Sequence, residues 1–452
     1  MNIFTKRMAG VCSALCLALS AYALDSYNAA LFASVTDAGE VVDSLVIDYG
    51  KDATVKAIDK DTFSVKAVAS TEKAREGTDV VSYGDYEINR KIEKVSVKKN
   101  VFTLYFNKGE GATLSYLSSS RNYPAELSYT IEQKKPISFK RGKEKNDIYT
   151  AEYKCDGTVT NAETAVFESV IIEDGINYQL FSPKKKSNTL IVWFHGNGEG
   201  DWNGSHNNVA QIRANRGAVA WTTKEAQKIF GNAYVMALQA PDTWYYAQKD
   251  GLLDKAEKEI MDVVKKYAID KNRIVLAGCS AGGYMSTRMI IKYPNLFTAA
   301  MINCPALDVA DERGGENPTD EELSSIRNSR TAIYLVQGVN DGVVDTEQCA
   351  KRLFKTLISG KDTTAYKFEQ DFASNFTTTQ TSDKKYVLSL YETTDADRSK
   401  AKLQFAEDYN LDGVTETVEY SNHWSWIYTL LNNPKTVDNI SIWQWAASKL
   451  QQ

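Results

Sequence analysis

Residues 274 to 284, Ile-Val-Leu-Ala-Gly-Cys-Ser-Ala-Gly-Gly-Tyr, place a serine between glycines two positions to either side, directly after an apolar run. A serine on a sharp strand-to-helix turn is lifted above the sheet edge as a nucleophile, and the amide that follows it is left free to bind an oxyanion. The turn holds strained backbone, and only glycine-sized neighbours let strand and helix approach each other so closely. Such a serine needs a base, and the base needs an acid that fixes its tautomer and stabilises its charged form. The chain has three histidines, His195, His206 and His423, so a catalytic histidine must be one of these.

The acid and the base are both present in order. Asp341 lies in Gln337-Gly338-Val339-Asn340-Asp341-Gly342-Val343-Val344, after a buried apolar run, which sets it at the carboxyl end of a strand on the side to which the elbow points. His423 follows in Ser421-Asn422-His423-Trp424, after a strand-like run from Thr415 to Tyr420. Serine, then acid, then histidine is the chain order of the α/β-hydrolase fold. A turn aspartate and a surface histidine would explain either residue alone, but not the ordered triple of Ser280, Asp341 and His423. Acyl transfer also needs oxyanion donors. His195-Gly196-Asn197-Gly198-Glu199-Gly200 directly follows the apolar run Leu190 to Phe194, which assigns the oxyanion hole to the amides of Asn197 and Ala281. His195 is then a structural residue of the loop, and His206, on a polar stretch with no partner in sequence, reads as surface. Trp244, Tyr245 and Trp424 fall near the expected mouth as substrate-binding candidates, although aromatics so placed could equally be packing.

These residues need a sheet to hold them. From about residue 150 strands alternate with helices, the pattern of a parallel or mixed sheet covered on both faces. Val166 to Ile172 and Asn177 to Ser182 read as an antiparallel pair. Leu190 to Phe194, Ala233 to Ala240, the elbow strand, Phe297 to Cys304 and Thr331 to Gln337 then follow. Ala256, Ile260, Val263, Val264 and Tyr267 share one face of a helix. Residues 306 to 330 form an acidic excursion in which Thr319-Asp320-Glu321-Glu322 is a capping box, opening a short helix over the site. From Leu31 to about Ile131, short strand-like runs (Val41 to Tyr49, Phe63 to Ala69, Lys94 to Ser96 into Val101 to Phe106, Leu127 to Ile131) predict an immunoglobulin-like β-sandwich. Gln133 through Lys145 reads as a linker and Thr377 to Thr381 as a surface loop. The division is 1–23 signal peptide, 24–145 sandwich, 146–452 catalytic domain.

The first residues have their own character. Lys6 and Arg7 precede the apolar run Met8 to Ser20, and Ala21-Tyr22-Ala23 completes the pattern of a secretory signal, with a mature chain from near Leu24 that is secreted or periplasmic. No run is long enough to span a membrane. The mature chain carries 51 basic and 58 acidic residues, which argues against nucleic acid as a partner. Cys155, Cys279, Cys304 and Cys349 are too sparse for a disulfide scaffold, and one bridge of unassigned pairing is the most they allow. No residue set calls for a cofactor. Asp408 to Glu419 has the spacing of an EF-hand loop, but Thr415 stands where an aliphatic residue belongs and strand follows, so a solvated acidic turn is the reading rather than a metal site.

The motifs at His195 to Gly200, Gln239-Ala240-Pro241, the elbow, Asn340 to Val344, His423 to Trp426 and the closing Ile440 to Leu450 with Trp443 and Trp445 together resemble the secreted esterase and predicted-peptidase, prolyl-oligopeptidase-like branch of α/β-hydrolases. With the β-rich beginning, the chain resembles esterases that carry an N-terminal immunoglobulin-like domain. The segment between Asp341 and His423 is longer than is usual there. The resemblance implies a serine carboxylesterase working through an acyl-enzyme, with an N-terminal domain that assists homo-oligomerisation or restricts the site. Small-molecule or polysaccharide-linked esters, such as feruloyl or acetyl esters, are the expected substrates. A serine peptidase of the same fold is the alternative within enzymes, though proline-specific ones carry a far larger β-propeller. An inactive carbohydrate-binding or adhesion protein is the alternative outside them.

Overall fold

The computed structural model describes residues 25–50, 53–55, 58–141, 144–148, 150–370, 374–392, 404–407, 416–419 and 421–450. The signal-like segment and Asp408 to Gly413 of the acidic turn lie outside the described residues. The C-terminal part is built on one ten-stranded sheet. Its middle strands, Leu190–Phe194, Ile274–Cys279, Ala299–Asn303 and Ala332–Gly338, run parallel and are buried along their whole length. Apolar runs without alternation take this position because helices cover both faces, so neither face needs polar residues. The helix Leu252–Tyr267 lays Ala256, Ile260, Val263 and Val264 into the core, and Ala281–Lys292 buries nearly all of its length.

The antiparallel pair at the front of the sheet is Phe167–Val170 with Tyr178–Phe181. Its other end departs from the sequence reading. Thr377 to Thr381 is not a surface loop: Asn375–Thr381 is a strand, antiparallel to both Tyr386–Glu392 and Thr363–Phe368. Its alternation of buried and half-buried residues is that of a strand near a sheet edge, with Thr378 bonded to Ser389 at 2.6 Å. The last parallel strand is Tyr386–Glu392, beside Ala332–Gly338. Glu416–Glu419, within the run expected to lead to His423, pairs instead with Gln404–Glu407 in a separate two-stranded sheet. The unusual length between Asp341 and His423 is thus largely accounted for by an added sheet edge and this hairpin.

The N-terminal part is all β apart from short helical turns. Ser26–Thr36, Gly39–Asp48, Val101–Phe106 and Ile92–Lys98 form one sheet, and Glu126–Gln133, Phe63–Ser70 and Tyr86–Asn89 another. Alternating residues of both sheets share a core that includes Leu31, Val42, Leu45, Val65, Phe102, Leu104, Tyr129 and Ile131. The expected linker is partly strand: Ile137–Arg141 pairs with Glu144–Ile148 and with Ala53–Val55, because Ile137 and Ile148 are apolar anchors that enter this core. Strand pairing with this part continues past residue 145. Glu152–Lys154 and Val159–Thr160 both pair in parallel with Ser26–Thr36. No described helix is long and apolar enough to cross a membrane.

The elbow is the tightest point of the sheet. A methyl group on Gly282 would stand 2.0 Å from the Phe194 carbonyl oxygen and 2.4 Å from that of His195, and one on Gly278 would stand 2.5 Å from the Gly282 carbonyl oxygen. The nearest obstacles at Gly282 are all backbone, which cannot swing aside. Gly282→Ala is therefore expected to lower stability by about 3 kcal/mol or more, read as a fall in urea midpoint. An unchanged midpoint would mean that helix and strand can separate freely.

Candidate active site

Three loops at the carboxyl ends of the parallel strands supply the reactive groups. Ser280 takes φ 53° and ψ −118°, a strained conformation for a residue with a side chain, between the strand Ile274–Cys279 and the helix Ala281–Lys292. Its backbone is held by N–H donation to Asn303 at 3.0 Å and by carbonyl bonds from Tyr284 and Ala306. Asn303 in turn donates to the Gly278 carbonyl at 3.0 Å and accepts from Thr429 at 2.5 Å, locking the elbow to the segment behind His423. Asp341 sits on the loop after Ala332–Gly338, where Gln337 donates to it at 3.1 Å and the amides of Val343 and Val344 at 2.9 and 3.1 Å. The His423 loop is joined to it by Asn422, which donates to the Asn340 carbonyl at 3.0 Å.

The structure brings Ser280, His423 and Asp341 into one line. His423 Nε2 lies 2.9 Å from Ser280 Oγ, and its Nδ1 lies 2.9 and 3.1 Å from the two Asp341 oxygens. Burial alone would raise the Asp341 pKa, but the His423 hydrogen bond and charge and the two amides outweigh it and hold the group below the usual carboxylate range. A carboxylate at Asp341 requires Nδ1 to carry the proton, which leaves Nε2 free to accept from the serine hydroxyl.

Among the described residues neither the Asn197 nor the Ala281 N–H meets a protein acceptor. Ala281 opens a buried 12-residue helix, so its amide also carries the positive end of the helix dipole. The Asn197 loop is anchored by its neighbours. Its side-chain oxygen accepts from Thr243 at 2.8 Å, and Gln239 donates to the Glu199 carbonyl at 3.1 Å. His195 fixes the loop's start: Nε2 accepts the Ala240 amide at 2.9 Å, and Nδ1 bonds the Gly196 carbonyl at 2.5 Å. Burial pushes its pKa down to about 3, so it is neutral and structural. His206 is exposed, with its backbone amide bonded to Asp201.

The aromatic candidates separate. Trp244 is fully buried, with its ring 5.1 Å from those of both Phe194 and His195, so it is core and not a substrate platform. The Tyr245 hydroxyl is hydrogen-bonded to Ser280 itself, and burial keeps its pKa up at about 12 against the pull of Arg313 and that bond. Trp424 is half-buried with its ring 6.1 Å from Trp426, whose ring meets His423 edge-on at 5.5 Å.

Two groups were not anticipated. Cys304 places its sulfur within 4.8 Å of Asp341 and His423 ligand atoms, and burial raises its thiol pKa, so a neutral group backs the pair. Its proximity comes from the turn after Ala299–Asn303, which no spacing in the sequence announces. Glu199 is buried in the oxyanion loop, with one oxygen accepting from Asn215 at 3.2 Å and the other 3.8 Å from His195 Nδ1. None of Cys155, Cys279, Cys304 and Cys349 is bridged.

Residues 242–389 match the model of the Prolyl oligopeptidase family, a span that holds Ser280 and Asp341 but not His423. Curated proteins show no match. Among solved structures, a thermostable esterase aligns over 89% of this chain and 96% of its own, with 23% identity and a TM-score of 0.62. The acetyl xylan esterase from Aspergillus awamori aligns over 50% of this chain and 93% of its own, with 15% identity and a TM-score of 0.35. A puromycin-hydrolyzing peptidase from Mycobacterium tuberculosis covers 79% and 62%, with 12% identity and a TM-score of 0.35. The fold is that of the α/β-hydrolases, and residues 242–389 are similar to the Prolyl oligopeptidase family.

Burial pushes the Glu199 pKa from 4.5 up to about 7, and the nearby amides, Arg121 and Asn215 only partly offset it. A raised pKa means the fold favours the neutral acid. That contribution is complete below pH 4.5 and is lost as pH rises through 7. Glu199→Gln is expected to match wild type in stability near pH 4 and to exceed it by about 3 kcal/mol at pH 8. Urea titrations at the two pH values check this, and an equal gap at both would refute it.

Proposed function

We propose that this chain is a secreted serine carboxylesterase that works through an acyl-enzyme. The observation that carries the reading is the unbroken line from Ser280 through His423 to Asp341, next to two amides without acceptors. Ser280 Oγ attacks the ester carbonyl carbon while its proton passes to His423 Nε2, and Asp341 stabilises the imidazolium through Nδ1. The carbonyl oxygen becomes negative within reach of the Asn197 and Ala281 amides, which were already oriented before the substrate arrived. Collapse breaks the bond to the alcohol, which leaves with the proton from His423. Water, deprotonated by the same imidazole, then attacks the acyl-serine, and the carboxylic acid departs as Ser280 regains its proton.

Ester chemistry is favoured by the neighbour described as an esterase, since its alignment takes in both parts of the chain. The N-terminal part is read as an immunoglobulin-like sandwich, from its two sheets around one shared core. Tyr245, whose hydroxyl reaches the serine, and Trp424, half-buried beside the histidine, are the substrate-lining residues in this reading, and an aromatic acyl group such as feruloyl would find a flat partner in Trp424. Acetyl and feruloyl esters of plant polysaccharide are accordingly the first substrates to try. The Prolyl oligopeptidase match supports a peptidase as the second reading. Turnover of matched ester and amide substrates with one acyl group separates the two.

Ser280→Ala is expected to lower kcat on short-chain nitrophenyl esters about a millionfold, and Asp341→Asn about ten-thousandfold through the wrong histidine tautomer. Full activity in Ser280→Ala would sink the assignment. Secretion rests on Lys6, Arg7 and the apolar run that follows them. N-terminal sequencing of protein recovered from outside the cytoplasm should begin at Leu24, and an intact Met1 there would contradict it.

A further inference from the structure

The loop that carries the Asn197 amide is also the surface on which the N-terminal part stands. The hairpin of Leu114–Leu117 and Arg121–Pro124 reaches onto it, and three successive residues of the second strand make the contact. Arg121 is buried and pairs with Asp242 at 2.5 Å, while its Nε donates to the Asp201 carbonyl at 3.4 Å. Asn122 Nδ2 donates to the Gly198 carbonyl at 3.2 Å. Tyr123 meets Trp202 edge-on, with ring centres 5.4 Å apart.

The glycines of the loop fit this contact closely. A methyl group on Gly198 would stand 2.9 Å from Asn122 Nδ2. One on Gly200 would stand 2.0 Å from the Asp242 carbonyl oxygen and 3.3 Å from Arg121 Nε. Two glycines of the oxyanion motif thus make room for another part of the chain as well as for the loop's own turn.

The hairpin is rigidly based. The Asp85 carboxylate accepts from Ser115 and Ser82, both at 2.7 Å, and from the Thr71 amide at 2.9 Å. Buried Glu40 accepts from Thr113 at 2.6 Å and Asn161 at 2.7 Å, and lies 3.6 Å from Arg213 of the catalytic part. The catalytic part holds the loop through His195, Gln239 and Thr243. The face presented by the Gly198 carbonyl is held from the other side.

We propose that Arg121 and Asn122 are positioning residues for the reaction, holding the 196–200 loop so that the Asn197 amide stands where the oxyanion forms. This rests on the reading of Asn197 as an oxyanion donor. Neither residue touches the triad or the substrate; they act through the loop. An oxyanion donor is effective because its orientation is set in advance, and a shift of about 1 Å can cost about a hundredfold in rate.

The test uses full-length Asn122→Ala, Arg121→Met and the double variant, with Val65→Ala as a control that loosens the N-terminal core away from the loop. In the single variants kcat for nitrophenyl acetate should fall about tenfold, and further in the double variant, with KM within about threefold. Affinity for a trifluoromethyl ketone, which closes on the serine as a tetrahedral oxyanion, should fall by the same factor as kcat/KM. In Asn122→Ala, which removes no charge, the pH profile of kcat/KM should not move, because the triad is untouched. Val65→Ala should lower Tm and keep kcat within about twofold. Variants that lose Tm but keep wild-type kcat and ketone affinity would overturn the proposal and leave the hairpin a purely structural prop. If Ser280→Ala is inactive while Asn122→Ala and Arg121→Met match wild type, only the clasp fails. If Ser280→Ala is active, the esterase reading fails with it.

Discussion

The geometry of the site depends on one backbone contact, the seating of Gly282 against the carbonyls of Phe194 and His195. Phe194 and Gly278 are register partners on adjacent parallel strands, so both strands end at the same height. The chain then leaves one strand as the loop that carries Asn197 and the other as the helix that opens at Ala281. A side chain at residue 282 would wedge loop and helix apart, and the two amides would no longer face a common point. The strain at Ser280 is sustained by the same contact, since the helix cannot retreat to relax it without abandoning the packing of its buried length.

Around this junction the protein keeps most ionisable groups uncharged. Burial lowers the His195 pKa and raises those of Cys279, Cys304 and Tyr245, so each is shifted further towards its neutral form. Asp341 is the contrasting case, a carboxylate kept ionised by its imidazole and two amides. In surroundings of low polarity one fixed charge acts strongly on its partner, and few others compete with it. Catalytic polarity is in this way concentrated along the line through His423.

Much of this was legible in the sequence where a local pattern has one physical solution. Unbroken apolar runs give buried parallel strands, and Gly-x-Ser-x-Gly after such a run leaves the serine one place to go. The chain order then leaves His423 as the base, and the end of the buried strand before Val339 points to Asp341 as the acid. Legibility failed where the answer depends on partners distant in sequence. Trp244 is adjacent to Tyr245, yet one points into the core and the other to the nucleophile, because a short helical turn rotates them apart. The polar run Thr377 to Thr381 looks like a loop but is a strand, since hydroxyls can satisfy each other in pairs such as Thr378 with Ser389. Gln133 to Lys145 looks like a linker because its charges outnumber its anchors, but Ile137 suffices to dock it. Nor does any spacing reveal that Asn122 would meet Gly198.

The first strand of the N-terminal part has a further bearing on how the molecule assembles. Ser26–Thr36 pairs in parallel with Glu152–Lys154 and Val159–Thr160, on the far side of the whole β-rich region. A chain emerging from its amino end can form the Ser26–Thr36 and Gly39–Asp48 hairpin at once, but one edge of that sheet stays unpaired until residue 160 has followed. During that interval the newborn sheet presents an open edge to other chains, the kind of exposure that invites misassembly. The segment that closes the edge is also the one that leads into the catalytic sheet, so completing the first part and beginning the second become a single step in time.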